Sequence, residues 1–383
     1  MTQAKPPLLL APNQPDDPDF LYATGMAIET AVYLRPESGA DVLVVPRLEL
    51  ERARQEAGVS AILERGELGW TEQKDAYASW TDTALRLLRR EGVTGVRVSP
   101  RLAAACYERL RQAGIRLTIE PELFQRERRR KSEGESSAIR LAQQAAEAAC
   151  SEVIKCLARA TSDARGVLEL GGLPLTSERL MAVAQAALNE RGHITPEMIV
   201  AGAPRSAVPH DRGSGPIRSG GPVIIDIFPR GVASGYHGDL TRTVVPGVIA
   251  PAVQRMHEVC VEALQVAIAG LRAGVNGRDL HRSTCRLLVE RGYGTTTPGF
   301  EGNQDGPILT HSLGHGVGLE VHEEPQLRNL DYELAAGDVV TVEPGLYETA
   351  LGGVRVEDTG MVIAAGFDNF TSLPYSLRPE DYL

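Results

Sequence analysis

The sequence predicts two consecutive domains, a small α/β domain followed by a larger domain of α/β or α+β class. Short β-branched runs alternate with helix-forming stretches along the chain. All 8 histidines lie in the second half, and none occurs in residues 1–125. A chain of 383 residues has room for about two or three domains of ~150 residues each. We therefore expect domains at 1–130 and 131–383.

The composition narrows the class of protein. A hydrophobic fraction of 43% and a charged fraction of 23% are ordinary for a globular protein. The net charge of −10 disfavours general nucleic-acid binding. No segment reaches the ~20 apolar residues of a membrane span, and the apolar run near the N-terminus is too short for a signal peptide. Dispersed cysteines without a CxxC pair predict reduced thiols and a cytoplasmic location: Cys106, Cys150, Cys156, Cys260 and Cys285.

In the first domain, strand-like runs at 40–46, 95–100 and 115–121 flank long stretches rich in glutamate, arginine and alanine. No catalytic constellation occurs there, so we expect a supporting or oligomerising role. The cluster RERRRK at 126–131 follows. We interpret it as a solvated boundary segment, with a nucleic-acid patch as the less favoured alternative.

The second domain opens with Ser132 and Glu135, the spacing of a capping box, before a helix predicted over 132–160. Further helices are predicted at 177–191, 251–272 and 277–291. Between them the β-branched runs predict strands at 198–202, 222–228, 240–247, 338–345 and 354–363.

Four of these strands carry a carboxylate at or near one end: Asp226, Asp239, Glu343 and Glu357. Burying an isolated carboxylate costs several kcal/mol or raises its pKa, so four in one domain suggest convergence on positive charge. Together with His315 they would form a hard, oxygen-rich site for two divalent ions. Such a site favours manganese and would also accept cobalt or zinc.

Arg355 and Glu357 are two positions apart and should share one face of the last strand. Arg355 would then orient Glu357 or bind a substrate carboxylate.

Five segments of the second domain carry a family resemblance: MIVAGAPRSAVPH, DIFPRGVASGYHGDLTRT, HSLGHGVGLEVHEEP, VTVEPGLY and GGVRVED. In this order they resemble the pita-bread metallopeptidases, specifically the Xaa-Pro peptidase branch (prolidase and aminopeptidase P). The first domain resembles the creatinase/prolidase-type N-terminal domain. The resemblance implies an α+β chain whose catalytic domain has the creatinase/methionine aminopeptidase-like fold.

The resemblance also implies a two-metal ligand set. Asp226 would bind one ion, Asp239 and Glu357 would bridge both, and His315 and Glu343 would complete the second. A metal-bridging hydroxide would attack the peptide carbonyl.

Further roles follow from the same resemblance. Glu343 would also shuttle a proton, while His210 and His322 contact the substrate or the tetrahedral intermediate. His311 would line the substrate pocket. Thr241 would hydrogen-bond one of the metal-ligating side chains on the side away from the metal.

Several neighbouring residues receive simpler interpretations. We expect surface or packing roles for His193, His257 and His281. Three glutamates in the segment HSLGHGVGLEVHEEP are not expected to bind metal: Glu320, Glu323 and Glu324.

One segment departs from the family pattern. Asp226 and Asp239 are thirteen positions apart, so their connecting loop is about two residues longer than is usual. A hairpin loop absorbs such a change, and metal binding should survive. Arg230 in this loop would pair with a substrate C-terminal carboxylate, since guanidinium binds carboxylate bidentately. The equally weighted alternative is an arginine pointing into solvent.

The activity expected first is hydrolysis of Xaa-Pro dipeptides. Aminopeptidase P-like and carboxypeptidase-like cleavage of longer peptides come next. Two alternatives of other classes are a catalytically inactive peptide- or protein-binding relative and a metal-free hydrolase of small guanidino compounds, and the intact ligand set argues against both. We expect a short peptide as substrate, no nucleic-acid or membrane partner, and a homodimer by default.

Overall fold

The computed structural model describes residues 5–12, 14–71 and 76–383, with side chains described from residue 79 onward in the helix that begins at Ala76. Residues 72–75, within a stretch predicted to be helical, lie outside the described residues. The chain divides into two compact units, Met1–Arg126 and Glu127–Leu383. This division falls four residues before the boundary that the sequence suggested.

In the described part of the first unit, six strands form one mixed sheet in the order β4-β3-β2-β1-β5-β6. Their bounds are β1 Leu8–Leu10, β2 Val32–Arg35, β3 Val42–Val45, β4 Ala61–Glu64, β5 Gly95–Val98 and β6 Arg116–Ile119. The β1–β2 and β2–β3 pairs are antiparallel, and the other neighbours are parallel. The helices are α1 Pro18–Thr24, α2 Leu50–Glu56, α3 Ala76–Arg90 and α4 Ala104–Gln112.

The short apolar run near the N-terminus is the strand β1 at the centre of this sheet. Alternate side chains of a strand point to opposite faces. Leu8 and Leu10 accordingly pack with Phe20 of α1, and Leu9 packs with Leu87 of α3. Both faces of the sheet are therefore covered, which explains why all three residues of the strand are apolar and buried.

The second unit begins with a short helix across the unit boundary and then a long one. The helices are α5 Gln125–Arg129, α6 Glu133–Arg159, α7 Ser177–Asn189, α8 Pro251–Gly270 and α9 Gly277–Glu290. The predicted capping box is confirmed, because the Ser132 and Glu135 side chains each accept a hydrogen bond from the other's backbone. Short 3₁₀ helices lie at Arg47–Glu49, Arg65–Leu68, Arg205–Ala207 and Pro379–Tyr382.

Antiparallel pairing dominates the strands of the second unit. One sheet has the order β11-β12-β14 and another the order β18-β17-β19-β22-β23, with smaller sheets β15-β16-β20-β21, β10-β13 and β7-β8-β9. The bounds are β7 Thr161–Ser162, β8 Leu168–Leu170, β9 Leu173–Pro174, β10 His193–Ile194, β11 Met198–Gly202, β12 Val223–Ile227, β13 Arg230–Gly231, β14 Leu240–Val244, β15 Gly294–Thr295, β16 Ile308–Leu309, β17 Gly314–Gly316, β18 Glu323–Leu327, β19 Val339–Val342, β20 Gly345–Glu348, β21 Gly352–Arg355, β22 Asp358–Ile363 and β23 Gly366–Asn369.

The two larger apolar cores of this unit lie beneath its helices. In one, α6 and α7 cover the sheet β11-β12-β14, with Val153 of α6 among the fully buried residues. In the other, α8 and α9 pack on β19, β20 and β21. Helices thus lie on the outer faces of the sheets, which leaves polar side chains on the opposite faces free to meet.

The strand predicted over 354–363 is wrong as a single element. β21 ends at Arg355 and β22 begins at Asp358. Glu357 lies in the break, where its backbone N–H donates to the Thr241 carbonyl at 3.0 Å. The interruption turns the chain so that Glu357 faces the interior, and its side chain is 2% exposed.

The interpretation of 126–131 as a solvated segment is also wrong for three of its residues. Arg128 pairs with Glu320 and Glu323 at 2.8 and 2.5 Å, and Lys131 pairs with Glu323 at 2.8 Å. Arg129 pairs with Asp338, a residue that is 0% exposed. These three cations pair with carboxylates of the second unit instead of extending freely into solvent.

Among the residues that the structure describes, no helix is both long and apolar enough to cross a membrane.

Candidate metal centre

A cavity of about 620 Å³ in the second unit is lined by all five side chains predicted to bind metal. They come from different strands or strand ends: Asp226 from β12, Asp239 before β14, His315 from β17, Glu343 after β19 and Glu357 before β22. The cavity is of a size that takes a small ligand such as a short peptide.

Alternation along β12 directs Asp226 into the cavity. Val223, Ile225 and Ile227 point to the core beneath α6 and α7. Ile224 and Asp226 therefore face the opposite side. Asp226 is paired in register with Thr241 of β14.

Asp239 is held through its backbone rather than its carboxylate. Its N–H donates to the Gln143 side chain of α6 at 2.8 Å, and its carbonyl accepts from Gln143 and from Thr359. Gln143 is 0% exposed. The Asp239 carboxylate is thereby left to face the cavity. The one feature of the sequence that could have indicated this role of Gln143 is its polar side chain on an otherwise apolar helix face.

His315 is oriented at both ring nitrogens. Its Nδ1 donates to the Gly316 carbonyl at 3.2 Å, which leaves Nε2 as the lone-pair nitrogen. Nε2 lies 3.4 Å from Glu343 Oε1 and 3.6 Å from Asp239 Oδ2. Burial, above all, lowers the pKa of His315 to about 3, so the ring is neutral and able to act as a ligand.

Asp239, His315 and Glu357 each offer a ligand atom, and these atoms lie within 4.8 Å of one another. Thr241 donates a hydrogen bond to Glu357 Oε2 at 2.8 Å. This agrees with the expectation that Thr241 hydrogen-bonds one of the candidate ligands. A hydroxyl behind a carboxylate fixes which oxygen faces a metal.

The four carboxylates of the site outnumber the single charge of the Arg355 guanidinium beside them. Burial, followed by the charges of neighbouring carboxylates, raises the pKa of Asp239 and of Glu357. Burial also raises the pKa of Glu343 to about 8. Asp226 Oδ1 is buried without a hydrogen-bond partner among the described residues. An oxygen-rich donor set of this kind, with one oxygen unpartnered, fits divalent cations.

Arg355 lines the cavity, and its guanidinium is held by several hydrogen bonds. It donates to Asp226 Oδ2 at 2.5 Å, to Thr241 and to the Tyr347 hydroxyl. Arg355 contacts Asp226 directly and is linked to Glu357 through Thr241, whose hydroxyl accepts from Arg355 and donates to Glu357. Its side chain is 4% exposed and lines the cavity, and binding of a substrate carboxylate by Arg355 stays a prediction.

Tyr347 links Arg355 to His311. Its hydroxyl accepts from Arg355 and donates to His311 Nε2 at 2.8 Å. The other nitrogen of His311 donates to the Ser312 carbonyl and lies 3.9 Å from Glu343. Burial lowers the pKa of His311 to about 3, so this ring is also neutral. Tyr347 ends the VTVEPGLY segment and was not recognised as part of the site.

His210 and His322 line the same cavity and have exposed side chains. The His322 ring is edge-on to that of His315, with centroids 4.1 Å apart. Burial lowers the pKa of His322. Both residues are therefore placed where a substrate above the ligand cluster would meet them.

The structure does not bring Arg230 to the site. It lies in β13, which pairs with β10, and is outside the set of described residues that line the cavity. The predicted substrate clamp at Arg230 is therefore not supported. Two arginines line the cavity, Arg355 and Arg212. Arg212 lies two positions after His210 and forms an ion pair with Glu197, another lining residue. The feature of the sequence that could have indicated Arg212 is its position two residues after His210.

The other histidines and glutamates behave largely as expected. His193, His257 and His281 are buried, which fits packing roles and excludes surface ones. Glu323 pairs with Arg128 and Lys131, and Glu324 accepts from the Tyr332 hydroxyl.

Residues 137–364, more than half of the chain, match the sequence profile of metallopeptidase family M24. The chain belongs to metallopeptidase family M24. Membership implies divalent metal ions at the cavity, in accord with its ligand set. It also confirms the resemblance noted in the five segments.

Proteins similar to this chain include an Xaa-Pro dipeptidase of Pyrococcus horikoshii, which is 35% identical over 177 residues. That alignment covers 46% of this chain and 46% of the relative, so the match spans about half the length of such relatives. Among solved structures, the prolidase from the same organism has a TM-score of 0.79 and 26% identity, covering 97% of this chain and 95% of its own.

An X-Pro aminopeptidase structure from Thermotoga maritima has a TM-score of 0.80 at 23% identity, covering 97% of each chain. At that identity the similarity shows the fold alone. The predicted pita-bread architecture of the M24 chain is thereby confirmed.

Proposed function

We propose that this M24 chain is a two-metal exopeptidase that hydrolyses short peptides, first of all Xaa-Pro dipeptides. The observation that carries the proposal is the convergence of five candidate ligand side chains on one cavity, where one buried carboxylate oxygen has no hydrogen-bond partner among the described residues. The dipeptidase and prolidase relatives support the substrate class. Aminopeptidase P-like and carboxypeptidase-like cleavage remain the alternative end specificities.

The ligand roles follow the order given by the sequence. Asp226 would hold one ion, Asp239 and Glu357 would bridge two, and His315 and Glu343 would complete the second. When bound, such ions activate a water as nucleophile and polarise the substrate carbonyl. We propose manganese as the native metal, with cobalt or zinc able to substitute, because carboxylate oxygens dominate the donor set.

The chain's own residues would perform the proton transfers and hold the substrate. Glu343 would accept the proton of the attacking water and deliver it to the leaving amine. His322 and His210, exposed at the cavity, would hydrogen-bond the substrate and the developing oxyanion. His311 is kept neutral by burial and oriented by Tyr347, so it would line the pocket without adding a positive charge.

Metal content and a peptide panel test this proposal. We expect about two Mn, Co or Zn ions per chain and release of proline from Xaa-Pro dipeptides. Longer Xaa-Pro peptides and peptides with blocked termini would separate the end specificities. A protein that binds peptides, takes up no metal and cleaves none of the panel would instead be the inactive binding protein, and the proposal would fail.

Arg212 replaces Arg230 as the residue proposed to recognise a substrate carboxylate. It is half-exposed in the cavity, and its partner Glu197 would offer a counter-charge for an α-amine. Arg212→Gln should reduce kcat/KM for a free-acid peptide roughly tenfold while barely changing that for the amidated peptide. Arg205→Gln is the matched control, because Arg205 is similarly exposed and ion-paired, with Asp211, but does not line the cavity. Equal loss on both peptides would exclude carboxylate recognition by Arg212.

A further inference from the structure

The basic segment after the first unit contains two cations whose charges are directed at a single carboxylate. Arg128 and Lys131, here called the basic clamp, have side chains 8% and 1% exposed. Each contacts one oxygen of Glu323, at 2.5 and 2.8 Å, and Glu323 is itself 7% exposed. Arg128 reaches Glu320 as well, at 2.8 Å. The clamp and its target are 192 to 195 residues apart in sequence.

The electrostatics of this cluster make it a rigid link. Burial would raise the pKa of Glu323, but Lys131 and Arg128 outweigh it and lower the pKa instead, so the carboxylate is charged. A buried charge that loses its partner is strongly unfavourable, and this gives each partner a strong preference for the observed position.

Glu323 is placed so that this link acts on the segment 316–323, which contains His322. It directly follows His322, opens β18 and is paired in register with Gly316 of β17, next to His315. Its carboxylate also occupies the space beside Gly318, where an added Cβ would collide with it. The chain from 316 to 323 therefore closes around the Glu323 side chain.

We propose that Arg128 and Lys131, acting through Glu323, position His322 over the metal centre and so set the rate of the reaction. The inference rests on the proposed peptidase function. It assigns a purpose to the RERRRK segment that neither nucleic-acid binding nor solvation explains. Both clamp residues are positioning residues, because neither lines the cavity in the described structure.

A matched control lies in the same segment. Arg129 forms a buried ion pair with Asp338 at 2.6 Å, but Asp338 caps the Ala335 N–H at the approach to β19 and does not contact the 316–323 loop. Breaking this pair should lower stability without disturbing His322.

The test is a double-mutant cycle between Lys131→Met and His322→Ala. We expect Lys131→Met to lower kcat roughly 10- to 100-fold, with KM and metal content nearly unchanged. In the His322→Ala background the same change should have little further effect, because residues that act through one another are non-additive. Lys131→Arg should restore most of kcat. Arg129→Met should combine additively with His322→Ala.

A second readout is independent of activity. In metal-loaded protein, Lys131→Met should shift or broaden the imidazole NMR signal of His322, assigned by its loss in His322→Ala, and Arg129→Met should leave it in place. Should Lys131→Met not fold, Glu320→Gln provides the milder disruption of the clamp. Additive loss in the cycle, or an undisturbed His322 signal, would overturn the positioning role. Absence of peptidase activity in the wild type would instead refute the proposed function, and the NMR comparison would still decide the clamp.

Discussion

Glu343 directly follows β19, and its carboxylate lies among His315, His311 and the other acidic ligands. Burial first of all, and then the charge of Asp226, raise its pKa to about 8, although Arg355 acts in the opposite direction. In metal-free protein near neutral pH this side chain therefore keeps a proton. A divalent ion would displace that proton, so metal affinity should increase with pH.

The titration of Glu343 predicts a pH-dependent effect on stability. Its folded pKa is raised above the ordinary 4.5, so its contribution to metal-free stability is present below pH 4.5 and is lost as pH rises through about 8. Glu343→Gln does not titrate. Metal-free Glu343→Gln should therefore gain stability over wild type between pH 5 and pH 8, by on the order of 2 kcal/mol. Denaturant unfolding at both pH values measures this.

The matched control for that experiment is Glu290→Gln, which removes an exposed glutamate at the end of α9. Its effect on stability should be small at both pH values. A Glu343→Gln advantage that stays constant with pH would contradict the raised pKa.

Thr241 supports Glu357 from behind through its hydroxyl. Thr241→Val keeps the shape and removes the hydrogen bond to Oε2. We expect metal affinity to fall about 10- to 100-fold, measured by competition with a chelator, because supporting partners orient metal ligands. Thr284→Val, a buried threonine of α9, should leave affinity unchanged. Retention of full affinity in Thr241→Val would mean that Glu357 is held by other contacts.

At the scale of elements, the close packing of β17 against its neighbours delivers His315. Gly314 and Gly316 flank the histidine in this three-residue strand. A Cβ on Gly314 would collide with the Thr341 carbonyl, and one on Gly316 would meet the Glu324 carbonyl. Backbone atoms cannot move aside as a side-chain end can, so glycine is required there for the strands to approach.

Gly314→Ala should consequently displace β17 and weaken metal binding. We expect a loss of about 2–4 kcal/mol in the free energy of unfolding, typical of overpacking in a rigid core, together with reduced metal content. Gly134→Ala is the control, because no atom lies within 4 Å of its added Cβ in the first turn of α6. That change should be neutral or stabilising by up to about 1 kcal/mol. Similar behaviour of the two variants would show that the β17 approach is loose.

At the scale of the whole molecule, the metal centre joins separate sheets of the second unit. Asp226 and Asp239 belong to the sheet β11-β12-β14, whereas His315, Glu343 and Glu357 are on or beside strands of the sheet β18-β17-β19-β22-β23. Bound ions would thus hold two sheets together and offset the repulsion among their carboxylates.

Chelation should lower the melting temperature by about 5–10 °C, since occupancy at 100 times Kd contributes ~2.7 kcal/mol. The difference between metal-loaded and metal-free protein should grow from pH 5 to pH 8, as protons cease to compete for the carboxylates. Calorimetry with and without Mn²⁺ measures both. Equal melting temperatures of the metal-loaded and metal-free protein at pH 8 would contradict stabilisation by metal ions bound between the two sheets.

Local features of the sequence determined most of the elements and the identity of the ligand side chains. The helix at Glu133–Arg159 was visible because its cap is local, and the strand at Met198–Gly202 because its residues are β-branched and apolar. The ligands were visible because a lone carboxylate in an apolar strand needs compensation. The family resemblance then gave each ligand a role, which stays a proposal here.

The tertiary structure alone decided which partner each charged side chain takes. Nothing near Arg128 in sequence indicates Glu323, and nothing near Arg355 indicates Asp226. Nothing in the loop after Asp226 indicates that Arg212, and not Arg230, is among the described residues that line the cavity. Cap and strand signals depend on neighbouring residues, whereas an ion pair depends on which distant segments the folded backbone brings together. The sequence thus predicted the proposed chemistry and its candidate ligands, and the packing of the folded chain determined which partners the charged side chains around them take.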